Sequence, residues 1–119
     1  MNYNFNNDVP IYLQIVEIIT NDIISEKLAP GQKLPSVREY AMLFKANPNT
    51  VCKALSILED KKFIYTERTN GKFVTTDSLI IKLQKEEIFL DKINEFLKEN
   101  NIWFNKFTIC FWKNNSPNF

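Results

Sequence analysis

The sequence predicts a mainly α-helical fold carrying one small antiparallel β-hairpin, and three observations predict it. Tyr12, Ile15, Val16, Ile19 and Ile23 recur at the spacing of one helix face. Two short segments further on each open with a helix-start signal, Ser36 with Glu39 and Asn47 with Pro48, and meet through a short joint. Beyond them, Phe63–Glu67 and Lys72–Thr75 have strand composition on either side of Asn70-Gly71, a pair favoured in tight hairpins.

The chain has 119 residues and a mass of 14.0 kDa, enough for one compact domain and a small appendage. The expected layout is an N-terminal arm over residues 1–8, a domain over 9–76, a helical appendage over 77–113 and a loose tail over 114–119. The longest apolar runs are interrupted by Asn, Lys and Glu. That pattern predicts a cytoplasmic protein with no membrane span and no signal peptide. Cys52 and Cys110 lie in unrelated segments without CxxC spacing, and there is no histidine. No metal site and no cofactor are therefore expected, and no glycine-rich phosphate loop or nucleophile motif points to an enzyme.

Helix 1 is expected to start at Val9-Pro10, because proline is tolerated in a first turn, and to run to about Lys27 before Leu28-Ala29-Pro30-Gly31 stops it. Ile11, Ile18 and Ile24 widen its apolar stripe. Such a face serves either a broad core or a core plus a partner subunit touching Ile11 and Ile18. In helix 2, Ser36 and Glu39 make a capping box, with the hydroxyl accepting from the N–H of Glu39 and the carboxylate reaching back to the N–H of Ser36. Val37, Tyr40, Ala41 and Phe44 then face inward and Arg38 outward, where it is either a plain solvated side chain or part of a phosphate site.

Helix 3 has Asn47 as N-cap and Pro48 in the first position. Val51, Ala54, Leu55 and Leu58 follow the core pattern and leave Asn49, Thr50 and Lys53 on the opposite face. Asn pairs with adenine N6/N7, Thr meets a phosphate or a thymine methyl, and Lys reaches guanine or phosphate. Cys52 lies near this face, with no cation fixed against it by sequence to make it a redox sensor. The hairpin follows, and Arg68 and Lys72 flank its tip around Asn70-Gly71. A basic tip beside two short helices is placed to touch a minor groove or backbone, or it simply solubilises a turn. Two helices joined tightly and followed by a hairpin are the pattern of a winged helix-turn-helix, a DNA-binding architecture.

Charge is distributed to match. Residues 1–29 hold one base against four acids, residues 30–75 eight bases against four acids, and the remainder six against six. The positive excess coincides with the helix-turn-helix and hairpin, as phosphate contact requires.

Asp77 or Ser78 is expected to cap a helix running to about Asn100, with Leu83, Phe89, Leu90, Ile93, Phe96 and Leu97 on a broad apolar face. A short helix carrying Trp103, Phe104, Phe107, Phe111 and Trp112 is expected to follow. Two such helices have no room for a core of their own. Burial against helix 1 and a second copy, through Phe89, Ile93, Phe96, Trp103, Phe104, Phe107 and Phe111, predicts a homodimer. An aromatic pocket for a small-molecule effector between these helices is the alternative.

Four motifs, Pro10-Ile11-Tyr12-Leu13-Gln14-Ile15, Gly31-Gln32-Lys33-Leu34-Pro35-Ser36-Val37-Arg38, Asn47-Pro48-Asn49-Thr50-Val51 and Leu58-Glu59-Asp60-Lys61, resemble in order and spacing those of the GntR family of bacterial transcription factors. The Asn-Pro-Asn-Thr turn is similar to that of its YtrA-like subgroup. The resemblance covers Val9 to Thr75. It implies that Ser36, Arg38, Asn47, Asn49, Thr50 and Lys53, with Arg68, Asn70, Gly71 and Lys72 of the wing, contact double-stranded DNA. Other branches of the family carry arginine where Pro48 and Cys52 stand, so the operator is expected to differ. Lys45 and Lys62 stand where glycine is common. A left-handed backbone at either costs on the order of 1 kcal/mol. The function expected is a dimeric repressor on a palindromic operator, with a transporter operon as the target the resemblance implies. The competing reading is a winged-helix interaction module that does not read DNA. Polar and basic side chains at Arg38, Asn49, Thr50 and Lys53 weigh against it.

Overall fold

The computed structural model describes residues 5–100, in the order α1 (Ile11–Ile24), α2 (Val37–Phe44), α3 (Pro48–Asp60), β1 (Ile64–Glu67), β2 (Gly71–Val74) and α4 (Ser78–Glu99). The fold is mainly helical with one antiparallel hairpin, as its sequence predicts. The described residues divide between Ile81 and Lys82 into two compact units.

In the first unit α3 packs against α1, α2 and β1. Ile15, Ile19, Val51, Ala54, Leu58 and Val74 are completely shielded at the centre, and Leu34, Tyr40, Phe44, Phe63 and Ile64 close around them. Burying each large aliphatic side chain contributes about 1.5–3 kcal/mol, so this cluster is what fixes the helices relative to the hairpin. Tyr40 and Phe44 stack with centroids 5.4 Å apart, one turn apart on α2.

α1 stops three residues before the expected Lys27, with Ser25 closing it and Glu26 left-handed at φ 64°. The Leu28 N–H bonds the Asp22 carbonyl at 3.0 Å, so the chain folds back over the last turn before Pro30 is reached. Residues 5–8, the described part of the expected N-terminal arm, are held against the domain. Gln14 accepts from the Asn6 N–H at 2.8 Å and donates to the Asn6 and Val9 carbonyls at 2.7 and 2.8 Å. Phe5 meets Phe44 edge-on at 6.2 Å.

The hairpin register pairs Ile64 with Val74, Tyr65 with Phe73, Thr66 with Lys72 and Glu67 with Gly71. Its connection is therefore the three residues Arg68–Asn70, closed by an Asn70 N–H to Glu67 carbonyl bond of 3.2 Å. A two-residue Asn-Gly turn would need positive φ at both positions. Here only Gly71 has it, at φ 104°, as the first residue of β2. The sheet also has an addition absent from the sequence prediction. Gly31 donates to Val74, Val74 to Gln32 and Leu34 to Lys72, at 3.0, 2.9 and 2.8 Å, and Lys33 bridges to Phe73. The segment before α2 thus runs along the outer edge of β2 and covers it.

α4 starts at Ser78, with the Asp77 carboxylate accepting from the Leu79 N–H at 3.0 Å. Of its expected apolar face, Leu90 is buried, Phe89, Ile93 and Leu97 are half-buried, and Leu83 and Phe96 are more than half exposed. The expected short helix with Trp103, Phe104, Phe107 and Phe111 falls on residues outside those described. No helix among the described residues is long and apolar enough to cross a membrane.

Candidate nucleic-acid interface

α2 begins where Ser36 stops an extended segment. Its hydroxyl accepts from the Glu39 N–H at 3.1 Å and donates to Glu39 Oε1 at 3.2 Å. The carboxylate thus meets the Ser36 hydroxyl, whereas the expected box has it on the Ser36 N–H. Arg38 stands exposed on the first turn.

α2 closes on Lys45, left-handed at φ 52°, and Ala46 donates to the Ala41 carbonyl at 3.0 Å. Only Ala46 then separates the end of α2 from the cap of α3. There Asn47 Oδ1 accepts from the Asn49 N–H at 2.8 Å, with Pro48 in the first position. The cap starts α3 so that Val51, Ala54, Leu55 and Leu58 are buried, while Asn49, Cys52 and Lys53 are exposed and Thr50 is half-exposed. The Lys53 ammonium lies 4.0 Å from the centre of the Tyr12 ring, which reaches it from α1.

At its other end α3 closes through Lys62, left-handed at φ 68°, with the Lys62 N–H on the Glu59 carbonyl and the Phe63 N–H on the Leu58 carbonyl, at 3.0 and 3.1 Å. These are the two bonds of a Schellman closure, and they deliver the chain directly into the wing.

Arg68 and Asn70 are exposed at the wing tip. Lys72 is arranged differently from expectation: its ammonium donates to Thr66 Oγ1 at 2.9 Å and to Glu59 Oε2 at 3.3 Å, and Thr66 donates to Glu59 Oε1 at 2.9 Å. The Thr66 bond does most to hold the Glu59 carboxyl below its ordinary pKa; desolvation, the next largest effect, opposes it, and the Lys72 bond and the charges of Lys72 and Lys62 add to the lowering. Lys72 therefore ties the wing to the end of α3 and points less freely outward than Arg68.

An open cleft of about 830 Å³ separates the start of α2 from the wing, lined among others by Lys33, Ser36, Arg68, Asn70 and Lys72. The expected contact residues thus fall in two groups. Ser36 and the wing residues share this cleft; Asn47, Asn49, Thr50 and Lys53 occupy the first turns of α3. Lys33 was not singled out in the sequence, since its place beside Gly71 depends on a strand pairing with a partner far along the chain. Ile11 is exposed, whereas Ile18 leans on the core, which limits what it can offer to another subunit.

The model of bacterial regulatory proteins of the gntR family matches residues 11–74, from the first residue of α1 to the last of β2. The chain belongs to the GntR family. Relatives of this GntR chain include the HTH-type transcriptional repressor YtrA of Bacillus subtilis (strain 168), 33% identical, with 78% of this chain and 85% of the relative covered. Among solved structures, a GntR family transcriptional regulator from Listeria monocytogenes superimposes with a TM-score of 0.78 at 35% identity, over 92% of this chain and 97% of that one. AraR(DBD) in complex with operator ORR3 superimposes at 0.55 with 29% identity, over 63% of this chain and 88% of that one. This GntR chain is a DNA-binding transcriptional regulator and not an enzyme.

Proposed function

We propose that this regulator is a repressor that binds a palindromic operator as a two-fold homodimer. Each protomer places the first turns of α3 in a major groove, and the two recognition helices lie about 34–36 Å apart. Asn49, Thr50 and Lys53 read base edges and adjacent phosphates. Ser36, Arg38 and the wing residues Arg68 and Asn70, with Gly71 shaping the tip, engage the flanking backbone. Asn47 contributes mainly by starting the helix that presents them, and Lys72 by holding the wing.

The observation that carries this reading is the outer face of α3. Its buried face is wholly apolar, and its first turns expose an amide, a hydroxyl and an ammonium in a row. Uncovered Leu83 and Phe96 on α4 support the dimer, since such side chains gain from a second apolar surface. A transporter operon as target rests on resemblance to YtrA-like regulators, and a small-molecule effector on the aromatic content of residues 103–112. The test is selection of bound duplexes from a random DNA pool at near-physiological salt, followed by sequencing. Enrichment of a palindrome whose half-sites lie one helical turn apart is the expected result. Enrichment of isolated half-sites would refute the dimer, and no enrichment by folded protein would refute sequence-specific reading.

A further inference from the structure

We propose that Tyr12 is a positioning residue for DNA recognition, its ring holding the Lys53 ammonium in the pose from which Lys53 meets the operator. This rests on the reading of Lys53 as a DNA contact. Lys53 is exposed on α3, and its ammonium lies over the Tyr12 ring at 4.0 Å. That separation is within the range in which the negative face of an aromatic ring attracts a cation.

The two ends of the contact are unequal. Tyr12 is the second residue of α1, half-buried and packed against the core, and Ile15 and Ile19 below it are fully shielded. Its ring is fixed by packing. Lys53 ends in a point charge on a flexible four-carbon stem, which loses rotamer freedom whenever it is pinned to a ligand. Resting on the ring orders the stem before DNA arrives. An ammonium carries three donors, and a ring beneath it leaves the other directions open to a phosphate or a guanine edge. A carboxylate in the same place would order the stem too, but it would neutralise the charge and repel the DNA. An aromatic ring orders the lysine and leaves its charge intact.

Three variants separate this role from plain packing: Tyr12→Phe keeps the ring, Tyr12→Leu removes it, and Lys53→Met keeps the stem without the charge. The pose is read by NMR from the Lys53 ε-methylene protons. They are expected upfield, shielded by the ring, in the native protein and in Y12F, and at ordinary positions in Y12L. Ordinary shifts in the native protein would overturn the proposal whatever the DNA result. Function is read by titration of the selected duplex in a double-mutant cycle. Y12F is expected to bind as the native protein does, and Y12L to bind about two- to fivefold more weakly, the loss that a cation–π contact at an exposed site supports. In the K53M background Y12L is expected to cost nothing further. Equal losses from Y12L with and without Lys53, or tighter binding by Y12L, would overturn the positioning role. An unaffected K53M would instead remove the reading of Lys53 on which it stands. Thermal melts of all variants show whether Y12L remains folded; if it does not, the Lys53 ε-methylene shifts of the native protein, upfield or ordinary, decide the proposal.

Discussion

Glu59, in the last turn of α3, and Lys72, in β2, meet at 3.3 Å, and Thr66 of β1 bonds to both. α3 and the wing are therefore joined by side chains as well as by the Lys61–Phe63 connection. The contact uses one of the cations expected at the DNA surface. It leaves Arg68 and Lys33 as exposed bases of the wing.

Glu59→Gln is expected to free Lys72 and remove one acid from beside it. Affinity for DNA of any sequence should rise, and the slope of log affinity against log salt should steepen by up to about 1, the increment for one more phosphate neutralised. The measurement is a salt series of binding titrations. An unchanged slope would place Lys72 too far from the backbone to matter.

Acidification should loosen the same joint. The folded-state pKa of Glu59 is lowered from its ordinary 4.5, so its contribution to stability is present above 4.5 and is lost as pH falls through the lowered value. Asp22 behaves oppositely: burial raises its carboxyl above 3.8, outweighing the attraction of Lys27, so it favours the fold when protonated and opposes it as pH rises past the raised value. It also sits in the last turn of α1, where a negative charge faces the negative end of the helix. Asp22→Asn should therefore stabilise the protein at pH 7, with a gain that disappears toward pH 3. Denaturant melts at the two pH values check it; a gain independent of pH would assign the effect to something other than the charge.

Lys62→Gly should raise the melting temperature. A lysine at φ 68° pays about 1 kcal/mol or more for the left-handed backbone. Glycine removes that cost while adding unfolded-state entropy of about 0.4–1 kcal/mol, so the net gain is a fraction of a kcal/mol. A lower melting temperature would mean that the side chain of Lys62 contributes more than its backbone costs.

The legible parts of this molecule are those whose cause is local. Ser36 with Glu39 and Asn47 with Pro48 each lie within one helical turn, and α2 and α3 start at those caps; the stripe from Ile15 to Ile23 lies along a single helix, α1. The sequence extends α1 to about Lys27 because Ser25, Glu26 and Lys27 are acceptable helix residues, and nothing in their identity marks Glu26 as left-handed. The strand-like run of Gly31–Leu34 has no local signal, because its partner, β2, is about forty residues away. A similar separation hid Lys53 on Tyr12 and Phe5 on Phe44, and Lys72 on Glu59 is hidden by the intervening turn of the hairpin. At the candidate interface, side-chain chemistry named the exposed residues of α3, but only packing shows which of the basic ones are already held by a neighbour.

Gly71→Ala should destabilise the wing for two separable reasons. A Cβ there would come 3.2 Å from Lys33 Cε, and the backbone sits at φ 104°. The steric part should vanish in the Lys33→Ala background, leaving the conformational cost of about 1–2 kcal/mol. Thermal melts of the single and double variants measure both. Full rescue by Lys33→Ala would show that the turn relaxes to accept alanine.

Asn49→Ala with Lys53→Ala should abolish the preference for the selected duplex over a scrambled one while the protein remains folded. Both side chains are exposed on the first turns of α3 and neither contributes to the core, so stability should fall by no more than about 1 kcal/mol, most of it from the lost contact of Lys53 with the Tyr12 ring. Discrimination carried by one good base-edge contact is worth about 1–3 kcal/mol, and losing two leaves binding to the phosphate backbone through Arg38, Arg68 and the remaining lysines. Asn47→Asp sharpens the comparison. It retains a carboxyl oxygen to cap α3 at Asn49, so the helix should stay intact, but it sets a negative charge at the start of the recognition helix and should weaken binding to every duplex alike. Loss of preference in the double variant, with uniform weakening in Asn47→Asp, would separate the residues that read sequence from the one that places them. Retained preference in the double variant would move recognition off α3.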